Sequence, residues 1–257
     1  MKTNRLILAL VAVLALACER EIVLDVNPSE PRPMIEALIP LDSVATVRIT
    51  ESKNYDQDNQ YPPVEGATVT LSDGEGGSEV LTLTPSGKYE SKVLKGVQGT
   101  TYHLSVQIGE KSYTATSTMP YAVPMEELTM SYFLGIGAFP QVVVNDPAGV
   151  VNRYRFLLFI NGKRMPSAQL EDDEDTDGKP NMTLLFFDSL YNDGKEIEKG
   201  DLITVEMQCI DEGAYLYHET LRRIGMSLAN PTSNISGGAL GFFSAYTSVT
   251  KEIVADW

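Results

Sequence analysis

Thr101-Tyr102-His103-Leu104-Ser105-Val106-Gln107-Ile108 decides the fold class. Tyr102, Leu104, Val106 and Ile108 alternate with His103, Ser105 and Gln107, and successive side chains of a strand point to opposite faces. The stretch therefore predicts a half-buried antiparallel strand with His103 on its outer face. Around it lie Ala45–Thr50, Ala67–Leu71, Glu79–Thr84, Lys88–Val93 and Lys111–Thr118, each short, β-branched or alternating, and separated by Gly, Pro, Asp and Ser. Strands so closely spaced predict a β-sandwich over residues 35–122.

Pro120 and Pro124 then interrupt the chain, and a second β-rich domain is expected over residues 123–257. Gln141–Asn145, Arg153–Ile160, Met182–Phe187, Leu202–Ile210 and Ala239–Thr250 read as its strands, and Asn161-Gly162 as a tight turn, since both residues tolerate positive φ. In Leu202–Ile210, Cys209 falls on the apolar side with Ile203, Val205 and Met207, which makes it a core residue. One helix is expected near 211–228, because Ala214, Tyr217, Leu221, Ile224 and Leu228 recur at steps of three and four. Asp211 or Glu212 suits its positive N-terminal end and Arg222 and Arg223 its negative end, with Tyr215, His218, Glu219 and Arg222 on the polar side. The fold class is thus mainly β: a β-sandwich, then a second β-rich domain with one helix.

At the N-terminus, Lys2 and Arg5 precede the apolar run Leu6–Ala17, which predicts a signal peptide over residues 1–17. A run of this length is too short to span a membrane, which takes about 20 apolar residues. Two cleavage readings meet at the same bond. Ala15-Leu16-Ala17 fits ordinary secretory cleavage, while Ala15-Leu16-Ala17-Cys18 resembles a bacterial lipobox with Ala15 in place of the usual Leu. The second predicts that Cys18 is lipidated and attaches the protein to a membrane through acyl chains. Residues 18–34, with Pro28, Pro31 and Pro33, read as a tether behind that anchor. Acylation of Cys18 leaves Cys209 without a partner and rules out an internal disulfide.

The net charge is −15, and loss of Lys2 and Arg5 with the signal peptide takes it to −17. Such a surface repels nucleic acid and anionic headgroups. Enzyme signatures are scarce: there are 2 histidines, no His-Glu-x-x-His, no Gly-x-Ser-x-Gly and no Cys/His cluster for zinc. No catalytic residue is assigned, and a non-enzymatic role is expected. Asp173-Glu174-Asp175-Thr176-Asp177-Gly178 opens like a calcium loop, with Asp173, Asp175 and Asp177 as alternate oxygen ligands. The pattern fails at its twelfth position, Leu184, where a bidentate Glu belongs. A solvated acidic loop is the preferred reading, with calcium as the only cofactor to consider.

Two stretches carry resemblances. Val64-Glu65-Gly66-Ala67-Thr68-Val69-Thr70-Leu71, with Gly87-Lys88-Tyr89 downstream, resembles the transthyretin-like or carboxypeptidase-regulatory modules of bacterial surface proteins, and implies an immunoglobulin-like or transthyretin-like sandwich. Asn230-Pro231-Thr232-Ser233-Asn234-Ile235-Ser236-Gly237-Gly238-Ala239-Leu240-Gly241-Phe242-Phe243-Ser244-Ala245-Tyr246 is the most distinctive segment. Together with the lipobox and that module, it resembles a Bacteroidota family of outer-membrane lipoproteins known only as a domain of unknown function. Members of that family are often encoded beside TonB-dependent receptors.

The resemblance implies an outer-membrane, surface-exposed lipoprotein that assists nutrient uptake by a TonB-dependent transporter as a non-catalytic binding subunit. Its ligand is left open among small molecule, peptide and glycan. An adhesive or pilus-like structural protein is the alternative, since it would share the lipobox and the sandwich modules. Loops on rigid scaffolds carry binding, and aromatic area gives interfaces much of their energy. Asn230, Ser233, Asn234, Gly237 and Gly238, with Phe242, Phe243 and Tyr246, are therefore the expected partner-binding residues.

Overall fold

The computed structural model describes residues 30–54, 58, 60–224 and 229–257. The predicted signal segment 1–17, Cys18 and most of the expected tether lie outside the described residues. Residues 31–52 and 58–257 form one compact unit. In chain order it contains β1 (Pro33–Pro40), β2 (Val44–Glu51), β3 (Thr68–Ser72), β4 (Ser78–Val80), β5 (Thr82–Leu83), β6 (Lys88–Lys95), β7 (Thr101–Ile108) and β8 (Lys111–Thr118). There follow β9 (Met125–Phe133), β10 (Gly137–Asn145), β11 (Arg153–Ile160), β12 (Lys163–Asp172), β13 (Pro180–Leu184), β14 (Leu202–Cys209), α1 (Glu212–Leu221), β15 (Ile235–Ser236) and β16 (Leu240–Val254). The protein is mainly β, with α1 the one α-helix among the described residues.

An 8-stranded sheet in the order β12-β11-β14-β16-β1-β2-β6-β5 forms the frame. A 5-stranded sheet, β15-β8-β7-β3-β4, and a 3-stranded sheet, β13-β10-β9, complete the fold. The first core joins Ile35, Ala37 and Ile49 of the frame to Val69, Leu104 and Val106 of the five-stranded sheet. The second joins Phe156, Leu158, Val205 and Met207 of the frame to Leu128, Val142 and Val144 of the three-stranded sheet. The alternation in β7 is realised as expected, with Tyr102, Leu104 and Val106 buried and His103 exposed. Cys209 is a buried free thiol in the second core.

Residues 35–122 and 123–257 are nonetheless not two consecutive domains. The cores do change over between Met119 and Val123, but β16 belongs to both. Its residues Leu240–Tyr246 pair in parallel with β1, and Thr247–Val254 pair antiparallel with β14. Phe243 and Ala245 therefore fill the first core, while Val249 and Ile253 pack on the second. A parallel neighbour from the far end of the chain is invisible to any reading of local spacing. β1 itself begins at Pro33, inside the expected tether, and pairs on both sides, with β16 and β2.

The even-numbered residues of β16 turn to the opposite face of the frame. There Phe242 packs with Leu170, Ile210, Ala214 and Tyr217, and α1 lies across them.

Candidate functional site

In the segment Asn230–Gly238, Ser233 and Asn234 spend their side chains on the first half of β16. The Ser233 hydroxyl donates to the Gly241 carbonyl at 2.8 Å. The Asn234 side-chain amide both accepts from Phe243 N–H at 2.9 Å and donates to the Phe243 carbonyl at 2.8 Å. Ser117 adds a fourth bond by accepting from Ala245 N–H at 2.7 Å. Residues 241, 243 and 245 are alternate, so these groups face one edge of the strand. Side chains here replace a neighbouring strand and close an edge that would otherwise bury unsatisfied backbone.

Of the glycines between Asn230 and Tyr246, Gly237 and Gly241 make the closest approaches. A Cβ on Gly241 would lie 2.0 Å from the Ile35 carbonyl oxygen and one on Gly237 2.6 Å from that of Ser112, and both have positive φ. Phe243 is 1% exposed and Phe242 8%. The expected aromatic binding surface is corrected accordingly: Phe242 and Phe243 serve two cores on opposite faces of one strand, and Tyr246 is half-buried. Asn230, Gly237 and Gly238 are exposed, while Ser233 and Asn234 are half-buried clamps.

The helix starts where its cap residue fits. Asp211 has extended backbone, and its carboxylate accepts from Ala214 N–H at 3.0 Å. The other oxygen accepts from the Ser117 hydroxyl at 2.6 Å and Thr118 N–H at 3.3 Å, which ties the cap to β8. Burial pushes the Asp211 carboxyl above its ordinary value despite these donors. The helix ends at Leu221, short of the expected 228, and Leu221 and Ile224 are exposed; residues 225–228 lie outside the described residues. His218, expected on the polar side, is buried, with its ring edge-on to Phe242 at 4.7 Å. Loss of water, with help from the charges of Arg155 and Arg164, pulls its imidazole down to about 3, so it is neutral at physiological pH. The buried stripe is thus rotated towards His218, because Phe242 rises from the frame to meet it.

α1 leaves cavities along its sides. The larger, about 600 Å³, is walled by Asp172, Asp173, Glu174, Asp177 and Glu212, with Tyr215, Leu216, Val150 and Val151 as its less polar lining. Its one cation is Arg153, which sits 3.7 Å from Glu212 and 5.8 Å from the centre of the Tyr215 ring. The Tyr215 hydroxyl donates to Asp172 at 3.0 Å. Burial, then that bond, pushes the phenol up to about 12. Five carboxylates against one guanidinium make this a cavity that attracts cations.

Two of its walls, Asp173 and Asp177, belong to a cluster in which carboxylate oxygens of Asp146, Asp173 and Asp177 lie within 4.8 Å of one another. Two of the three expected ligands are therefore brought together, and Asp146 takes the place of Asp175, which lies outside the cluster. Each is held by donors within the protein: Asp146 by the Tyr154 hydroxyl, Asp173 by Asn152 N–H at 2.6 Å, Asp177 by Gly149 N–H at 2.6 Å. Three single oxygens are half or less of what calcium takes, so water would have to supply the rest. Asp146 directly follows β10, and it meets the acidic loop through the bond from its N–H to the Lys179 carbonyl at 3.2 Å and the bond its carboxylate accepts from Gly178 N–H at 3.4 Å.

Exposed aromatic area lies elsewhere. At the tip joining β9 to β10, Tyr132, Phe133, Leu134 and Ile136 are exposed, with Phe186 nearby. Tyr132 stacks on Trp257 at 5.7 Å, and Phe139 meets Phe133 at 6.3 Å and Phe186 at 5.1 Å. Among the described residues no helix is long and apolar enough to cross a membrane.

A mainly β protein, with two cores fused through one strand and a charged surface under its helix, is the class defined by this fold and site. The chain belongs to the family described as Domain of unknown function (DUF4249), which matches residues 19–252. No curated protein matches it. Among solved structures it is similar to a two fibronectin type-III domain segment from chicken tenascin, at 11% identity over 87% of this chain and 99% of that one, with a TM-score of 0.24.

Proposed function

We propose that the protein is a lipid-anchored binding subunit of the outer membrane that captures a ligand bearing a cationic group and serves a TonB-dependent transporter. The observation that carries the ligand half is the cavity of about 600 Å³ with five carboxylates and one guanidinium. Its volume falls in the range of small-molecule sites, and its valine, leucine and tyrosine lining would cover an apolar stem behind the cation. The anchor rests on Lys2, Arg5, the apolar run and Cys18, and the family match begins at the residue after that cysteine. The apolar tip Tyr132–Ile136 is the surface offered to a protein partner, since contiguous exposed apolar area of this kind marks interaction sites.

The test joins both halves. Trilysine and triglycine are titrated into the wild type and into Asp172→Asn/Glu212→Gln, and the tagged protein is purified from native membranes with and without Leu134→Glu/Ile136→Glu. Saturable trilysine binding lost in the first variant, and a large β-barrel co-purifying with the wild type but not the second, are the expected results. Equal binding of both peptides, or no barrel in any sample, overturns the corresponding half.

A further inference from the structure

Towards the C-terminal end of α1 the charge is reversed. A second cavity, about 360 Å³, is lined by Arg155, Arg222 and His218 together with Pro166, Ala168, Leu170 and Leu221, and no carboxylate lines it. Arg155 lies on β11 opposite Leu170 of β12, two residues along from Arg153 in the acidic cavity, so both project from the same face of the frame.

Arg155 has no direct ion pair among the described residues. Its Nη1 donates to the Gln208 side-chain oxygen at 2.9 Å, and Gln208 passes its own amide to Glu206 at 2.8 Å, so Glu206 acts on the charge of Arg155 from a distance and without a direct ion pair. Its Nε is buried and has no hydrogen-bond partner. Among the described residues no ion pair is formed by Arg155, Arg164 or Arg222. Arg164 and Arg222 are exposed to water, whereas Arg155 is half-buried. Burial and the charge of Arg164 bring Arg155 down to about 10, which leaves it charged at neutral pH. His218 is neutral there, so the arginines supply the field.

We propose that this cavity is a binding site for a small organic carboxylate, whose oxygens pair with the Arg155 guanidinium and with Arg222 at the rim. A planar carboxylate matches the donors of the guanidinium fork. The proline, alanine and leucine walls accept an aliphatic tail, which distinguishes this ligand from inorganic phosphate. The site is independent of the acidic cavity, because Asp172 and Glu212 do not line it.

The test is calorimetric titration of the full chain with sodium hexanoate, sodium acetate and sodium phosphate at fixed ionic strength. Hexanoate should bind saturably in the wild type, and roughly tenfold more weakly or not at all in Arg155→Met, since truncation removes the charge at the centre of the site. Arg222 is exposed, so Arg222→Gln should fold with at most about 1 kcal/mol lost from the helix end and should weaken hexanoate several-fold, which keeps the test decisive should Arg155→Met not fold. Acetate should bind more weakly than hexanoate, for want of a tail. Absence of hexanoate binding to the wild type, or equal binding by the wild type and Arg222→Gln, overturns the proposal. Phosphate binding as tight as hexanoate overturns the assignment to organic acids.

Discussion

The loop Asn230–Gly238 and the flanks of α1 both bring polar side chains against the same long strand and its neighbours, and they use them in opposite ways. In the loop, Ser233 and Asn234 make one bond to each backbone group that needs it, and little is left for a partner. Along the helix, carboxylates gather with one cation among them, and arginines gather with no acid. A dense polar motif is thus a matter of closure where every group is satisfied. It becomes a candidate for binding where charge is uncompensated, because burying charge without a partner costs several kcal/mol that a ligand would recover.

The comparison can be broken most severely at Gly241. Gly241→Ala places a methyl group against the Ile35 carbonyl at a positive φ, and unfolding free energy should fall by about 4 kcal/mol or the chain should fail to fold. Asn234→Ala comes next. It strands the N–H and C=O of Phe243 in a buried place, and urea denaturation should show a loss of roughly 3 kcal/mol. A binding loop would instead lose its partner at unchanged stability, and that result would return the site to this segment.

His218 sharpens the contrast through pH. The folded state holds the imidazole neutral down to about 3, whereas the unfolded chain takes up the proton near 6.5. More protons are then bound unfolded than folded, and stability drops as pH falls through that window, by up to about 1.4 kcal/mol per unit. Wild type and His218→Phe, compared by denaturation at pH 7 and pH 4.5, should diverge at the lower pH. Parallel curves would show that the histidine is hydrated and the packing on Phe242 loose.

Smaller effects are expected at the acidic rim. Glu212 is 68% exposed beside Arg153, so Glu212→Gln should change stability by less than about 1 kcal/mol while weakening any cation in the cavity. Calcium, if it binds at all, should do so in the weak range of extracellular modules and depend on Asp146 more than on Asp175. Titration with Asp146→Asn and Asp175→Ala decides this. A site lost with Asp175 and kept without Asp146 would contradict the geometry.

Local spacing was enough for β7, for the buried face of β14 with Cys209, and for the start of α1 at Asp211, because pleat, periodicity and capping act between residues a few positions apart. It was not enough for the far end of the helix, where Leu221 and Ile224 carry the right spacing but remain 41% and 46% exposed. The acidic run advertised Asp173 and Asp177 but not Asp146, which reaches them through the chain's return from β10.

The sequence by itself determined that the protein is β-rich with one helix, where the turns fall, and that the chain is strongly acidic. Only the tertiary structure decided that β16 joins two cores, that Asn234 acts as a substitute strand, and that Arg155 faces a cavity without an acid. Periodicity is a property of neighbours along the chain. Pairing of β1 with β16, and the balance of charge around a side chain, depend on residues some two hundred positions or some tens of positions away, whose approach is set by the packing of the whole unit.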